Sequence, residues 1–316
     1  MTRPEATGSR AIDPTALRTV HVISKTEEFK ALYYDRERAA LRPNLVFVEP
    51  DGSIGFETNE VGLKGDPLDP SRKLVVVWGD SVVFSSGRGW PCLLDRLAPG
   101  YQFLNGGLDG DPYTNILRRA GEFNRRNPVA LNLLMLGWHP FVPARPERAG
   151  RSLAGWLTAG KRANTDTLRQ PGNENVKADL THFLESTPNT VVLTMPTALN
   201  RRIVDRDLSS FLVTGDDDTG FRFLGNQPHV EAEAARGAAA ARSVQRQGFN
   251  YVLERNAIAR EVCARMGVRV IDVFAAFDTE AVADFREHFL DLIHFRPRSY
   301  PLVAQIVYDA IKDLLT

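Results

Sequence analysis

Two short stretches near opposite ends of the chain carry side chains that could do chemistry together. The first is Gly79-Asp80-Ser81, which directly follows the apolar run Leu74-Val75-Val76-Val77-Trp78 and precedes a stretch with helical spacing. A serine at a strand-to-helix turn holds its hydroxyl above the sheet and offers its own backbone N–H to an anion, as a nucleophile must. The second is Asp291-Leu292-Ile293-His294, just ahead of a helix expected from about Ser299 to Leu315. A spacing of three in a turn lets the carboxylate reach one imidazole nitrogen and fix its tautomer, leaving the other nitrogen to take a hydroxyl proton. Either stretch alone is also ordinary turn or helix-cap chemistry. Together they supply a nucleophile, Ser81, a general base, His294, and an orienting acid, Asp291, for acyl chemistry on serine. Asp80 reads as a turn residue supporting the serine rather than as that acid. His21, His182, His229 and His288 have no matching partner and read as solvated or core residues.

The elements between these stretches must bring them together. Short apolar runs at Leu74–Trp78, Tyr101–Leu104, Leu131–Leu136, Val191–Met195 and Val268–Val273 read as strands. Helical patterns fall between them, at about Trp90–Leu97 and Tyr113–Asn124, and in a long helix ending near Met266 with Gly267 as its stop signal. Strands alternating with helices imply an α/β fold, a doubly wound parallel sheet whose loops gather at the carboxyl ends of the strands. Residues 1–72 are expected to form an N-terminal appendage. It contains a hairpin in which strand-like runs from Leu45 and to Phe56 flank the turn Pro50-Asp51-Gly52. Residues 73–316 form the main domain. Insertions at 143–185 and 200–248 leave its catalytic edge and are candidates for lids or substrate walls.

Composition narrows the partners. With 316 residues, 43% hydrophobic and 25% charged, the chain can bury a large core. Its 39 basic and 39 acidic residues cancel, which argues against nucleic acid as a partner. No apolar run approaches the roughly 20 residues of a membrane span, and Met1–Thr19 lacks an apolar leader core, so a cytoplasmic location without a membrane partner is expected. Cys92 and Cys263 read as buried small hydrophobes rather than a disulfide, and no Cys/His cluster suggests a metal.

From about Phe56 to the C-terminus, these blocks resemble the GDSL/SGNH hydrolases. The flank Thr58-Asn59-Glu60-Val61-Gly62-Leu63-Lys64-Gly65 also resembles a segment that precedes the serine block in bacterial members. The resemblance implies a three-layer α/β/α, flavodoxin-like fold with strand order 2-1-3-4-5. In that order Ser81 and the loop after Leu136 face each other across a crevice. It also implies an oxyanion hole: the Ser81 N–H, and a glycine N–H from Asn105-Gly106-Gly107-Leu108-Asp109-Gly110, with Gly110 in the matching position and Gly107 the alternative. The third block departs from the family, with Gly137-Trp138-His139-Pro140 in place of Gly-x-Asn-Asp. A neutral imidazole donates one N–H, so His139 is either a replacement donor or a structural residue. Trp138, Phe141 and Trp156 are candidates to line an acyl or sugar pocket.

The reading that follows is cleavage of a small-molecule or carbohydrate carboxylic ester through an acyl-serine, with no metal or organic cofactor. Its alternatives are an O-acyltransferase using the same three residues and a non-catalytic scaffold that kept the fold. A nucleotide-binding module is disfavoured because the first strand is followed by no glycine-rich phosphate loop.

Overall fold

A computed structural model describes residues 18–21, 33–35, 40–48, 52, 54–138, 172–198, 238–278, 285–291 and 293–315. At its centre lies a five-stranded parallel sheet made of β6 (Lys73–Gly79), β7 (Tyr101–Gly107), β8 (Val129–Met135), β9 (Thr190–Leu193) and β10 (Val270–Ile271). The order across the sheet is β10-β9-β8-β6-β7, and every neighbouring pair is parallel. Counted from β6, this is the expected 2-1-3-4-5 order.

The sheet is buried on both faces because its strands are apolar on both. Along β6, Val75 and Val77 enter one core, while Leu74, Val76 and Trp78 enter the other. That alternation follows from the period of two of a strand. Each fully buried aliphatic chain contributes roughly 1.5–3 kcal/mol. Helix α2 (Tyr113–Asn124) buries Tyr113, Ile116, Leu117 and Ala120, and α3 (Asn173–Ser186) buries Val176, Leu180, Phe183 and Leu184, both at helical spacing against the second core. Helix α6 (Tyr300–Ile311) covers the first with Val303, Ala304, Val307 and Ile311. The long α4 (Ala238–Met266) serves both: Phe249, Tyr251 and Val252 join the first core, and Ile258, Ala259, Val262 and Cys263 the second. Its middle therefore lies across the end of the sheet, where the Asn256 side chain accepts from the Met195 N–H at 2.7 Å and donates to the Met195 carbonyl at 3.0 Å.

Several elements differ from expectation for local reasons. The second strand runs on to Gly107 because Asn105-Gly106-Gly107 still pair with Val77-Trp78-Gly79. The last strand is only Val270–Ile271. Val268 closes the end of α4 by donating to the Cys263 carbonyl, and Asp272 caps the short helix α5 (Val273–Phe277) by accepting from the Ala275 N–H at 3.0 Å. The stretch from Trp90 is a 3₁₀ helix, Trp90–Arg96. Of the expected insertions, residues 173–185 lie in α3, the crossover helix between β8 and β9, and α4 begins at Ala238. Residues 139–171 and 199–237 lie outside the described residues.

The N-terminal part packs beside this sheet. Strands β4 (Leu45–Val48) and β5 (Ile54–Glu57) are antiparallel, β1 (Arg18–His21) pairs parallel with β4, and β2 (Tyr34–Asp35) pairs with β3 (Ala40–Leu41). Phe47 stacks on Phe56 at 4.6 Å, and Phe56 meets Phe84 edge-on at 5.3 Å. Phe84 ends the helix that follows Ser81, so the appendage touches the serine's own support.

Candidate active site

Ser81 is the first residue of α1 (Ser81–Phe84), immediately after β6. Asp80 is its N-cap, with one carboxylate oxygen accepting from the Val82 N–H at 3.0 Å. The other oxygen accepts a short hydrogen bond from the Trp138 N–H, so one side chain joins the ends of β6 and β8. Gly137, at φ 82°, makes that junction possible: a Cβ there would lie 2.9 Å from the Asp80 carboxyl carbon. Gly107 is equally constrained, since a Cβ would sit 2.2 Å from the Phe84 nitrogen. The end of β7 therefore packs directly on the backbone of α1.

From the far end of the chain, His294 brings its Nε2 to 2.7 Å from the Ser81 Oγ. Its Nδ1 lies 2.6 Å from Asp291 Oδ2. Asp291 Oδ1 accepts from the backbone N–H groups of Ile293 (2.9 Å) and His294 (2.8 Å), so the carboxylate is fixed by the turn that carries the histidine. This is the reach that the spacing of three allows. Burial by itself lowers the His294 pKa. The charge and hydrogen bond of Asp291, with smaller contributions from the charges of Asp80 and Asp109, outweigh it and raise the value to about 9. In the neutral ring, Nδ1 donates to Asp291 and Nε2 accepts from the serine hydroxyl.

The candidate oxyanion donors fall into three groups. The Ser81 N–H, at the first helical position, and the Gly110 N–H have no acceptor among the described residues. The Gly107 N–H is already used, donating to Asn105 Oδ1 at 2.9 Å. Gly110 is exposed, and its loop is anchored from beneath by a buried ion pair in which Arg119 meets Asp111 at 2.5 Å and also donates to the Gly106 carbonyl at 2.8 Å. His139, Phe141 and Trp156 lie outside the described residues. Trp138 is 4% exposed and packs edge-on against Tyr251 at 5.6 Å, as a core residue.

Sequence reasoning passed over Lys64 and Asn105, which brace α1 from behind. The Lys64 side chain is fully buried. Its ammonium donates to the carbonyls of Phe84 and Ser85, the latter at 3.0 Å, and lies 3.8 Å from the Phe84 ring centre. Burial lowers its pKa to about 7, with a smaller opposing influence from Cys92. The Asn105 amide donates to the carbonyls of Val83, Phe84 and Arg88 at 2.9–3.0 Å. Together the two side chains satisfy the carbonyl end of a helix one turn long. The available signal was Lys64 itself, a cation between Leu63 and Gly65 in the flank before the serine block. Of the other histidines, His182 is exposed, and His288 meets the Ser299 hydroxyl at 3.1 Å.

Among the described residues no group of His, Cys, Asp and Glu could hold a metal ion, and no helix is long and apolar enough to cross a membrane. Two surface cavities of about 530 and 340 Å³ lie elsewhere, beside Arg88 and Cys92 and beside Glu60 and Arg126; neither is lined by Ser81 or His294.

The chain matches no family model and no curated protein. It is similar to the solved structure of the lipase/acylhydrolase from Enterococcus faecalis, at 15% identity and a TM-score of 0.46 over 76% of this chain and 96% of that one. A member of the lipolytic protein G-D-S-L family from Veillonella parvula is similar at 15% identity and a TM-score of 0.43, over 76% and 98% of the two chains. A catalytic mutant of an acetylxylan esterase from Geobacillus stearothermophilus is similar at 13% and 0.43, over 77% and 95%. The sheet itself, five parallel strands in the order 2-1-3-4-5 with flanking helices, has the flavodoxin-like arrangement expected from the sequence.

Proposed function

We propose that the protein hydrolyses a carboxylic ester through an acyl-serine intermediate. The reading is carried by the continuous path from Ser81 Oγ to His294 Nε2 (2.7 Å) and from His294 Nδ1 to Asp291 Oδ2 (2.6 Å). Neutral His294 takes the hydroxyl proton as Oγ adds to the ester carbonyl. The carbonyl electrons move to oxygen, and the Ser81 and Gly110 N–H groups receive the oxyanion. Collapse expels the alkoxide, which takes the proton back from the imidazolium and leaves as the alcohol. Water then adds to the acyl-serine with His294 again as base, releasing the acid and restoring the hydroxyl. Asp291 stabilises the imidazolium in both halves and holds the tautomer.

The test is hydrolysis of short-chain 4-nitrophenyl esters together with labelling by a fluorophosphonate. Wild-type protein is expected to turn over and to label at Ser81, while Ser81→Ala does neither and melts at the wild-type temperature. Wild-type protein that neither turns over nor labels refutes the reading in favour of a scaffold.

A further inference from the structure

We propose that Arg255 and the N-terminus of α2 form a binding site for a carboxylate carried by the substrate, beside the ester being cleaved. The inference begins with an energetic anomaly. Arg255 is 2% exposed, and its Nη1 and Nη2 are buried without a hydrogen-bond partner among the described residues. The guanidinium lies 5.2 Å from the Tyr251 ring centre and 5.8 Å from that of Tyr113. Two aromatic faces offset part of the cost of burying a charge, and the Tyr251 hydroxyl neighbours the guanidinium, but neither tyrosine offers it a negatively charged acceptor. A buried cation without acceptors is among the least tolerated features of a folded chain, and side chains that persist in this state mark places where an anion is received.

The carboxylates nearby are committed elsewhere. Asp179 accepts from the Tyr113 hydroxyl at 2.8 Å, and Asp111 is paired with Arg119. Tyr113 is also the first residue of α2, a helix of 12 residues whose N-cap, Pro112, offers no side-chain acceptor and whose first turn holds no acidic residue. The positive end of that helix and the unpartnered guanidinium thus meet at the same residue. A carboxylate matches the planar fork with two parallel hydrogen bonds, which a neutral group cannot do. Closed off from water, such a bond acts in a low dielectric and is strengthened.

The position makes this a substrate site. Arg255 lies in the middle of α4, across the carboxyl end of the sheet, next to Asn256, which clamps Met195. One ring beyond it, Tyr251 packs on Trp138, whose N–H is bound by Asp80, the neighbour of Ser81. On its other side, Tyr113 follows Gly110 by three residues. The proposal rests on the ester-hydrolase reading for its substrate and selects, within it, esters that bear a second, anionic group.

The experiment compares kcat/KM for 4-nitrophenyl butyrate and mono-4-nitrophenyl glutarate in wild type, Arg255→Met and Arg255→Lys. It also measures melting temperature with glutarate, inorganic phosphate or sodium chloride at equal ionic strength. Wild type is expected to prefer the glutarate ester by about 10- to 100-fold, the range of a charge-assisted hydrogen-bonded pair. Arg255→Met loses that ratio and Arg255→Lys keeps part of it. Glutarate should raise the wild-type melting temperature saturably and leave that of Arg255→Met unmoved. This readout needs no turnover, so glutarate binding without cleavage of either ester would sink the hydrolase reading and keep the site. Cleavage of both esters with the same ratio in wild type and Arg255→Met, and no stabilisation by glutarate, overturns the site and keeps the hydrolase. Stabilisation by phosphate alone also overturns the carboxylate. Without any added anion, Arg255→Met should melt at or above the wild-type temperature, since it removes an uncompensated charge; a fall of several degrees would mean that a carboxylate of the chain itself already neutralises Arg255, and would overturn the proposal.

Discussion

If His294 is the base, the Asp291 carboxylate that orients it must also delay its deprotonation, and the pH dependence of ester cleavage should show this. Only the neutral imidazole can accept the Ser81 proton, so kcat/KM follows the neutral fraction. With the pKa raised to about 9, that fraction is roughly 1% at pH 7 and half at pH 9, a rise of about 50-fold. An imidazole at the ordinary value of about 6.5 would change by only about 1.3-fold over the same interval. A third of the His294 side chain is open to water, which screens the pair, so a rise between about 10- and 50-fold is expected. The assay is kcat/KM for a neutral nitrophenyl ester from pH 5.5 to 9.5, corrected for spontaneous hydrolysis. Asp291→Asn should move the midpoint down by removing the largest opposing charge, while lowering the plateau because the tautomer is no longer held. A wild-type profile already flat by pH 7.5, or a midpoint unmoved in Asp291→Asn, would refute the reasoning.

Asp291 and His294 should behave as one unit, so that Asp291→Asn combined with His294→Ala is little slower than His294→Ala alone; independent, multiplicative losses would contradict the shared role. Gly107→Ala places a Cβ 2.2 Å from the Phe84 nitrogen, so α1 must shift; a loss of about 1–3 kcal/mol in stability and a disproportionate loss of kcat are expected from denaturant unfolding and steady-state kinetics. Two groups should also pull stability in opposite directions with pH. The raised pKa of His294 stabilises the fold below about 6.5, and that contribution is lost as pH rises toward about 9, so the gap in melting temperature between wild type and His294→Ala should narrow over this range. The lowered pKa of Lys64 means that folding opposes its charge at low pH, a penalty that fades as pH climbs from about 7 toward its unfolded value of about 10.4; wild type should therefore gain on Lys64→Met over that interval. Parallel melting curves for wild type and either variant would show that the group does not titrate differently in the two states.

The sequence by itself carried the order of strands and helices and pointed to the three side chains, Ser81, Asp291 and His294, that the structure brings within hydrogen-bond distance. Hydrophobic periodicity is local, and the runs from Leu74 and Leu131 could bury both faces only as inner parallel strands. The spacing of Asp291 and His294 already limited what their side chains could reach. The ends of elements were less legible: the second strand extended through Asn105-Gly106-Gly107 because pairing with β6 overrode the weak strand propensity of glycine, and the last strand stopped at Ile271 because Asp272 capped a helix. Only the tertiary structure decided which groups support the reacting ones. Lys64 precedes Ser81 by 17 positions, yet it became the cap of the serine's helix once the N-terminal segment had folded over Phe84. Gly107 and Gly110 were both open as donors in the sequence, and what separates them is one side chain, Asn105, which takes the Gly107 N–H. Arg255 is one of many arginines along the chain; its distinction is burial without an acceptor, a property of the surroundings that no residue type or spacing encodes.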